Sequence, residues 1–245
     1  KVQSINPDAY ELYLKATHKY EKRLNTDDTE IVRGLLKKAI ELDNNLLVAK
    51  KLLGITYLDI GEYNKALDIF NSNLKQAEEF DDKAQMLNNI IGIGSVQSNK
   101  GEYDNALANY EIAHKIAEEI DSEPGIGRIL SHMGVVNFHR GNNDKALESW
   151  EKSLTIAELL QNKFLISQNV FNIGNVYLRK DDYDKALKNY EKSLAIDEEL
   201  NRKIDLYIVF NNIGLIYSNQ GDLDKALDYY DRALVNAKEL GDKSG

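Results

Sequence analysis

GEYNKALDIF at residues 61–70 returns as GEYDNALANY at 101–110, GNNDKALESW at 141–150, DDYDKALKNY at 181–190 and GDLDKALDYY at 221–230. The spacing is 40 residues each time. Self-similarity at a fixed period of this size marks a chain built of stacked supersecondary units. Two columns inside the block never vary: Ala66, Ala106, Ala146, Ala186, Ala226, and after them Leu67, Leu107, Leu147, Leu187, Leu227. Seven residues ahead of each block stands another glycine, at Gly54, Gly94, Gly134, Gly174 and Gly214.

The columns predict two helices per period, A before the Gly61-type turn and B after it. Glycine at that turn suits the left-handed conformation that often ends a helix, and Asp181, its one replacement, tolerates that conformation better than most residues. The Gly54 column falls inside helix A, where glycine costs about 1 kcal/mol relative to alanine. Repetition of that cost implies a packing reason, which we expect to be close approach of A to the alanine column of B. Helix B carries Ala66, Leu67, Phe70, Leu74 and Ala77 at helical spacing, and its large aromatic recurs as Tyr110, Trp150, Tyr190 and Tyr230. Trp150 therefore reads as a core side chain. Short polar stretches such as Phe80-Asp81-Asp82 and Leu200-Asn201-Arg202 lead from B to the next A.

These columns resemble the tetratricopeptide repeat: a small residue and Tyr in A, Gly at the turn, then Ala, an aromatic and Ala-Leu in B. The resemblance covers Leu46 to Gly241. The usual unit has about 34 residues, so the longer period suggests helices about a turn longer, as in the kinesin light chain subtype. Asn211-Asn212-Ile213-Gly214 before Tyr217 is close to that subtype, as is Asn172-Ile173-Gly174-Asn175 before Tyr177. Gln97 and Asn137 depart from the helix-A tyrosine, and His114 from the helix-B leucine. The implied fold is all-α, an α-α superhelix of six helical hairpins.

Residues 1–45 form a divergent opening hairpin, followed by repeats at 46–81, 82–121, 122–161, 162–201 and 202–245. Asn6 before Pro7 is a sound helix start, with the helix running to about Leu24. Asn25-Thr26-Asp27-Asp28 is expected to turn and cap the partner helix. The stretch from Asn6 to Lys15 resembles the segment opening repeat arrays in bacterial adenylate or guanylate cyclases and related regulators. At the other end, Ala226, Leu227, Tyr230, Leu234 and Ala237 keep the internal pattern without the polar substitutions a terminal cap needs. Asp242-Lys243-Ser244-Gly245 reads like the turn into another helix. Both ends suggest one part of a larger bacterial signalling protein, with some self-association through the C-terminal end.

Composition narrows the function. Hydrophobic residues make up 42% of the chain and charged ones 29%, enough for a core and against disorder. There are no cysteines, which excludes disulfides and thiolate metal sites and fits a reducing, cytoplasmic setting. The formal charge of −9 disfavours nucleic acid as a general partner. No apolar run approaches the ~20 residues that span a bilayer, so no membrane insertion is expected. There is no GxxxxGK[ST], HExxH or GxSxG motif. Gly92-Ile93-Gly94 and Gly125-Ile126-Gly127 only mimic a nucleotide loop, since neither follows a strand. His132 and His139 are seven residues apart, about 10 Å along a helix, too far to chelate one metal unaided. Glu118-Glu119 and Glu198-Glu199 read as solvated surface late in helix B. We expect no catalysis, no cofactor and no metal site.

Function is expected on the concave, helix-A face of a stack of hairpins. Stepping 100° per residue from the glycine column puts Val48, Leu52, Ile55 and Asp59 between roughly 100° and 160°, on one stripe. Its counterparts are Asn88, Gly92, Ser95 and Asn99; Arg128, His132, Val135 and His139; Gln168, Asn172, Asn175 and Arg179; and Ile208, Asn212, Leu215 and Asn219. Asp59 is its one carboxylate, in a strongly acidic chain. Asparagine is a poor helix former whose amide both donates and accepts, as an extended backbone requires. The stripe suits an extended, polar or acidic peptide or partner segment. Two alternatives remain open here: Asn172 and Asn212 either meet a ligand or hydrogen-bond along successive helices, and the chain either binds peptides or acts as a spacer or oligomerisation arm.

Overall fold

A computed structural model describes residues 5–21 and 26–241. Among these residues there are twelve helices and no strand. They form consecutive antiparallel pairs in two compact units, Lys1–Gly125 and Ile126–Gly245. The first unit holds α1 (Pro7–Glu21), α2 (Thr26–Leu42), α3 (Leu47–Asp59), α4 (Tyr63–Glu79), α5 (Lys83–Asn99) and α6 (Tyr103–Glu119). The second holds α7 (Glu123–His139), whose first turn contains the boundary, then α8 (Asn143–Leu159), α9 (Lys163–Arg179), α10 (Tyr183–Glu199), α11 (Lys203–Gln220) and α12 (Leu223–Gly241). The fold is a tetratricopeptide-like helical solenoid of six hairpins.

Local chemistry explains the punctuation. At the end of α3, Gly61 has φ 75°; its N–H donates to Leu58 O and the Glu62 N–H to Tyr57 O, each at 3.0 Å. This pair of bonds satisfies carbonyls that a helix end leaves open. Asp181 adopts the same conformation with φ 56°. The turns from B to A repeat the left-handed residue at Asp81, Asp121, Gln161 and Asn201, a column that the sequence reading treats only as polar. The following residue then caps the next helix: Asp82 accepts from Gln85 N, Ser122 from Gly125 N and Asn162 from Leu165 N. At the chain's start Asn6 Oδ1 accepts from the Asp8 and Ala9 amides. The continuation of α1 towards Leu24 lies outside the described residues, as does Asn25 of the expected turn. So does the Asp242-Lys243-Ser244-Gly245 stretch.

The glycine column has a different partner from the one expected. A Cβ built on Gly54 would stand 2.6 Å from the Phe70 ring, and one on Gly94 2.6 Å from Tyr110. Gly174 and Gly214 meet Tyr190 and Tyr230 in the same way. The aromatic of B, not its alanine, fills the missing side chain's place. Phe70 is held from a second side by Gly92 of the next A helix. Rings packed like this vanish from solvent: Phe70, Tyr110, Trp150 and Tyr190 are at most 1% exposed.

Candidate functional site

In the first unit, packing takes up much of the stripe. Leu52 is buried in the core that joins α3 to the opening hairpin, and the half-buried Val48 packs against it. Asp59 accepts a hydrogen bond from the Tyr20 hydroxyl at 2.8 Å. On α5, Ser95 Oγ donates to Ile91 O at 2.9 Å and lies 3.3 Å from the Tyr110 hydroxyl. Asn88 is half-buried, and Asn99 is exposed as the last residue of α5.

In the second unit α7 places Arg128 and His132 half-buried, one turn apart, and leaves His139 exposed at its end. Burial, helped by the Arg128 charge, pushes His132 down to about 4, and burial lowers Arg128 as well. His132 is thus a neutral imidazole at pH 7, not one of the stripe's cations. On α9, the Arg179 guanidinium lies 3.5 Å from the centroid of Phe138, and Nη1 donates to Phe138 O at 2.9 Å and Asn143 Oδ1 at 3.2 Å. It ties the end of α9 to the α7–α8 turn. Asn219 is exposed near the end of α11.

The stripe asparagines divide into two groups. The Tyr190 hydroxyl donates to Asn175 Oδ1 at 2.7 Å, and Asn212 Nδ2 reaches the same oxygen at 3.3 Å. Asn175 and Asn212 therefore serve a tyrosine hydroxyl whose burial drives its pKa far above the ordinary value. Tyr110, next to Ser95, is pushed up to about 12 for the same reason. The pairing is readable where the ring is buried: Phe70, with no polar atom, has Ile55 in this place, whereas Tyr110 has Ser95 and Tyr190 has Asn175; the more exposed Tyr230 has Leu215. Trp150 is served differently, by Nε1 donating to Ser131 O at 3.0 Å.

Gln168 and Asn172 form the other group. They lie half-buried one turn apart on α9, and neither makes a hydrogen bond to a described residue. Both line a cavity of about 210 Å³ between α9, α10 and α11, together with Ser167, Phe171, Ser193, Asp197, Arg202, Asp205, Ile208 and Val209. Asp197 is 1% exposed. Its Oδ1 accepts from Ser167 Oγ at 2.7 Å and Arg202 Nη1 at 3.3 Å, and its Oδ2 from Ser193 Oγ at 3.2 Å. Burial nevertheless raises its pKa against those bonds.

The sequence reading passed over Asp197, Arg202, Asp205, Ser167 and Ser193, although a signal was present. Asp197 occupies a column that otherwise reads Ala77, Ala117, Ala157 and Ala237, and Arg202 stands where Asp82, Ser122 and Asn162 cap their helices. Amide laddering between helices also occurs off the stripe. Asn73 Nδ2 donates to Asn89 Oδ1 at 2.9 Å, and Asn169 Nδ2 to Ser153 Oγ at 2.7 Å. Among the described residues no group of three His, Asp or Glu is placed to hold a metal ion. None of the described helices is long and apolar enough to cross a membrane.

The family model described as "Tetratricopeptide repeat" matches residues 82–159, 125–199 and 164–239. The chain belongs to the tetratricopeptide repeat family. No curated protein matches it by sequence. Solved structures match it in fold. BtubC (BKLC) from P. vanneervenii is 22% identical, with a TM-score of 0.65 over 96% of this chain and 93% of its own. A Rap protein solved with Competence and Sporulation Factor is 12% identical, with a TM-score of 0.73 over 98% of this chain and 78% of its own. A signal transduction ATPase with numerous domains from Pyrococcus horikoshii, which carries a tetratricopeptide repeat sensor, is 18% identical; its TM-score is 0.68 over 94% of this chain and 36% of its own. At these identities the likeness is one of fold.

Proposed function

We propose that this chain is a non-catalytic protein-binding module and that the α9–α11 face of its second unit holds an extended, polar or acidic segment of a partner. One observation carries the reading: Gln168 and Asn172 present half-buried amides that make no hydrogen bond to a described residue. Their amide atoms keep accessible surface at the cavity, and a peptide backbone supplies both the donor and the acceptor an amide needs. Asn175 and Asn212, locked to Tyr190, form a rigid floor beside them. The stripe carries no carboxylate in the second unit and Arg128 and Arg179 add positive charge to it, whereas the cavity that Gln168 and Asn172 line carries the acids Asp197 and Asp205. The Rap protein with its bound factor and the sensor of the Pyrococcus horikoshii ATPase support partner binding by such a fold and a place in a larger signalling protein.

The test is to select binders from a random decapeptide library with the wild-type chain and then measure them against the Gln168→Ala/Asn172→Ala variant. Two lost hydrogen bonds of about 1 kcal/mol each should weaken binding about 10- to 30-fold at unchanged helicity. Unchanged affinity would move the contact to the ends or the outer face. One observation favours that second reading, an association arm: on α12, Leu223, Leu227, Leu234 and Val235 are each at least 50% exposed. Tyr230 is 36% exposed where its counterparts are buried. Sedimentation as a strict monomer at high concentration would rule it out.

A further inference from the structure

The alanine column of helix B is interrupted at one buried position, Asp197, and the cavity between α9, α10 and α11 lies beside it. We infer that this cavity is a recognition pocket for one basic side chain, lysine or arginine, of the segment held by the α9–α11 face; the inference rests on the peptide-binding reading above.

Charge comes first. The ionisable groups lining the cavity are two acids, Asp197 and Asp205, and one base, Arg202. Arg202 is already committed, with Nη1 on Asp197 Oδ1 at 3.3 Å, Nη2 on Asp205 Oδ2 at 2.8 Å and its guanidinium 4.1 Å from the centre of the Phe164 ring. It bridges the two carboxylates, so acids outnumber bases at the cavity by one, a surplus of acidic groups. An anion would meet that surplus as repulsion. Hydrogen-bonding capacity agrees: an ionised carboxylate accepts about four bonds, and Asp197 takes three, a single one of them on Oδ2. The carbonyls of Gln168 and Asn172 add neutral acceptors at the same cavity.

Shape agrees as well. The apolar wall of Ile208 and Val209 suits the methylene stem of a long basic side chain whose head goes to the acids. About 210 Å³ is smaller than the ~300–1,000 Å³ of small-molecule sites, so the pocket fits a side chain better than a whole metabolite. The fold itself does not require the acid, because alanine fills the same column at Ala77, Ala117, Ala157 and Ala237. A buried carboxylate is a poor source of stability compared with an apolar residue of the same site. Its presence at this column points to recognition.

The experiment is a positional-scanning decapeptide array in which one position at a time is fixed as Lys, Arg, Leu or Glu and the rest are randomised. Wild type is compared with Asp197→Ala, which installs the column residue and should keep the fold, and with the isosteric Asp197→Asn. Wild type should prefer Lys or Arg over Leu by about 10-fold or more at one position, the value of a charged hydrogen bond. Both variants should lose that preference while still binding the array. Binding by wild type without a basic preference, or a preference that survives both substitutions, overturns the pocket and leaves the peptide-binding reading standing. No peptide bound by wild type at all overturns both.

Discussion

Gly134→Ala should destabilise the chain although alanine is the better helix former. A Cβ at this position would stand 2.5 Å from Trp150 Nε1, 2.6 Å from Cε2 and 2.7 Å from Cδ1. Non-bonded carbons settle at about 3.5 Å or more, so the indole must retreat by about 1 Å. It is 1% exposed, and its Nε1 donates to Ser131 O at 3.0 Å. Retreat therefore overpacks the core, at about 1–3 kcal/mol, and strains a buried hydrogen bond whose loss costs about 1–3 kcal/mol. Better helix propensity returns about 1 kcal/mol. The net expectation is a loss of about 1–5 kcal/mol. Gly34→Ala is the control: Gly34 is mid-helix in α2, nothing beyond its chain neighbours and its own helix backbone lies within 4 Å of where its Cβ would be, and the change should stabilise by about 1 kcal/mol. Urea unfolding followed by helical circular dichroism measures both. Trp150, the one tryptophan, reports the local change by its native-state fluorescence. If Gly134→Ala raises the midpoint as Gly34→Ala does and leaves the native emission unchanged, the ring-on-glycine account is wrong.

Asn175→Ala should cost about 1–2 kcal/mol by leaving the buried Tyr190 hydroxyl without its acceptor. Combining Tyr190→Phe with Asn175→Ile copies the Phe70–Ile55 pairing of the first repeat and should recover most of that loss; a double-mutant cycle with no coupling would refute the pairing. His132 adds a pH dependence. Because its folded pKa, about 4, lies below the ordinary 6.5, the unfolded chain takes up the proton first. The stability that neutral His132 contributes is present above pH 6.5 and is lost as pH falls towards 4, by up to about 3 kcal/mol. The stability difference between wild type and His132→Asn, followed by urea unfolding from pH 7 to pH 4, should change by that amount, and a constant difference would contradict it.

The sequence by itself determined the architecture, because its signals are local and repeated. The 40-residue period, the turn glycines and the helical spacing of Ala66, Leu67 and Phe70 each act within one hairpin, so reading along the chain recovers them. Asp181 in the left-handed conformation was legible for the same reason. The tertiary structure alone decided what the side chains do across helices. Helical spacing puts Asn172 and Asn175 on one stripe, yet Asn175 is bound to Tyr190 and Asn172 to no described residue. That difference depends on where a ring from the following helix comes to rest, which spacing along one helix cannot specify. The glycine column shows the same limit: its cost was visible in the sequence, but its partner proved to be the aromatic, since ring orientation follows from packing. Asp197 lies between the two cases. Its departure from the alanine column can be read in the sequence, but the cavity beside it exists because Ser167, Arg202 and Asp205, from other helices and a turn, converge there. Burial, which raises the pKa of Asp197 and lowers that of His132, is a property of the packed neighbours and not of the residue.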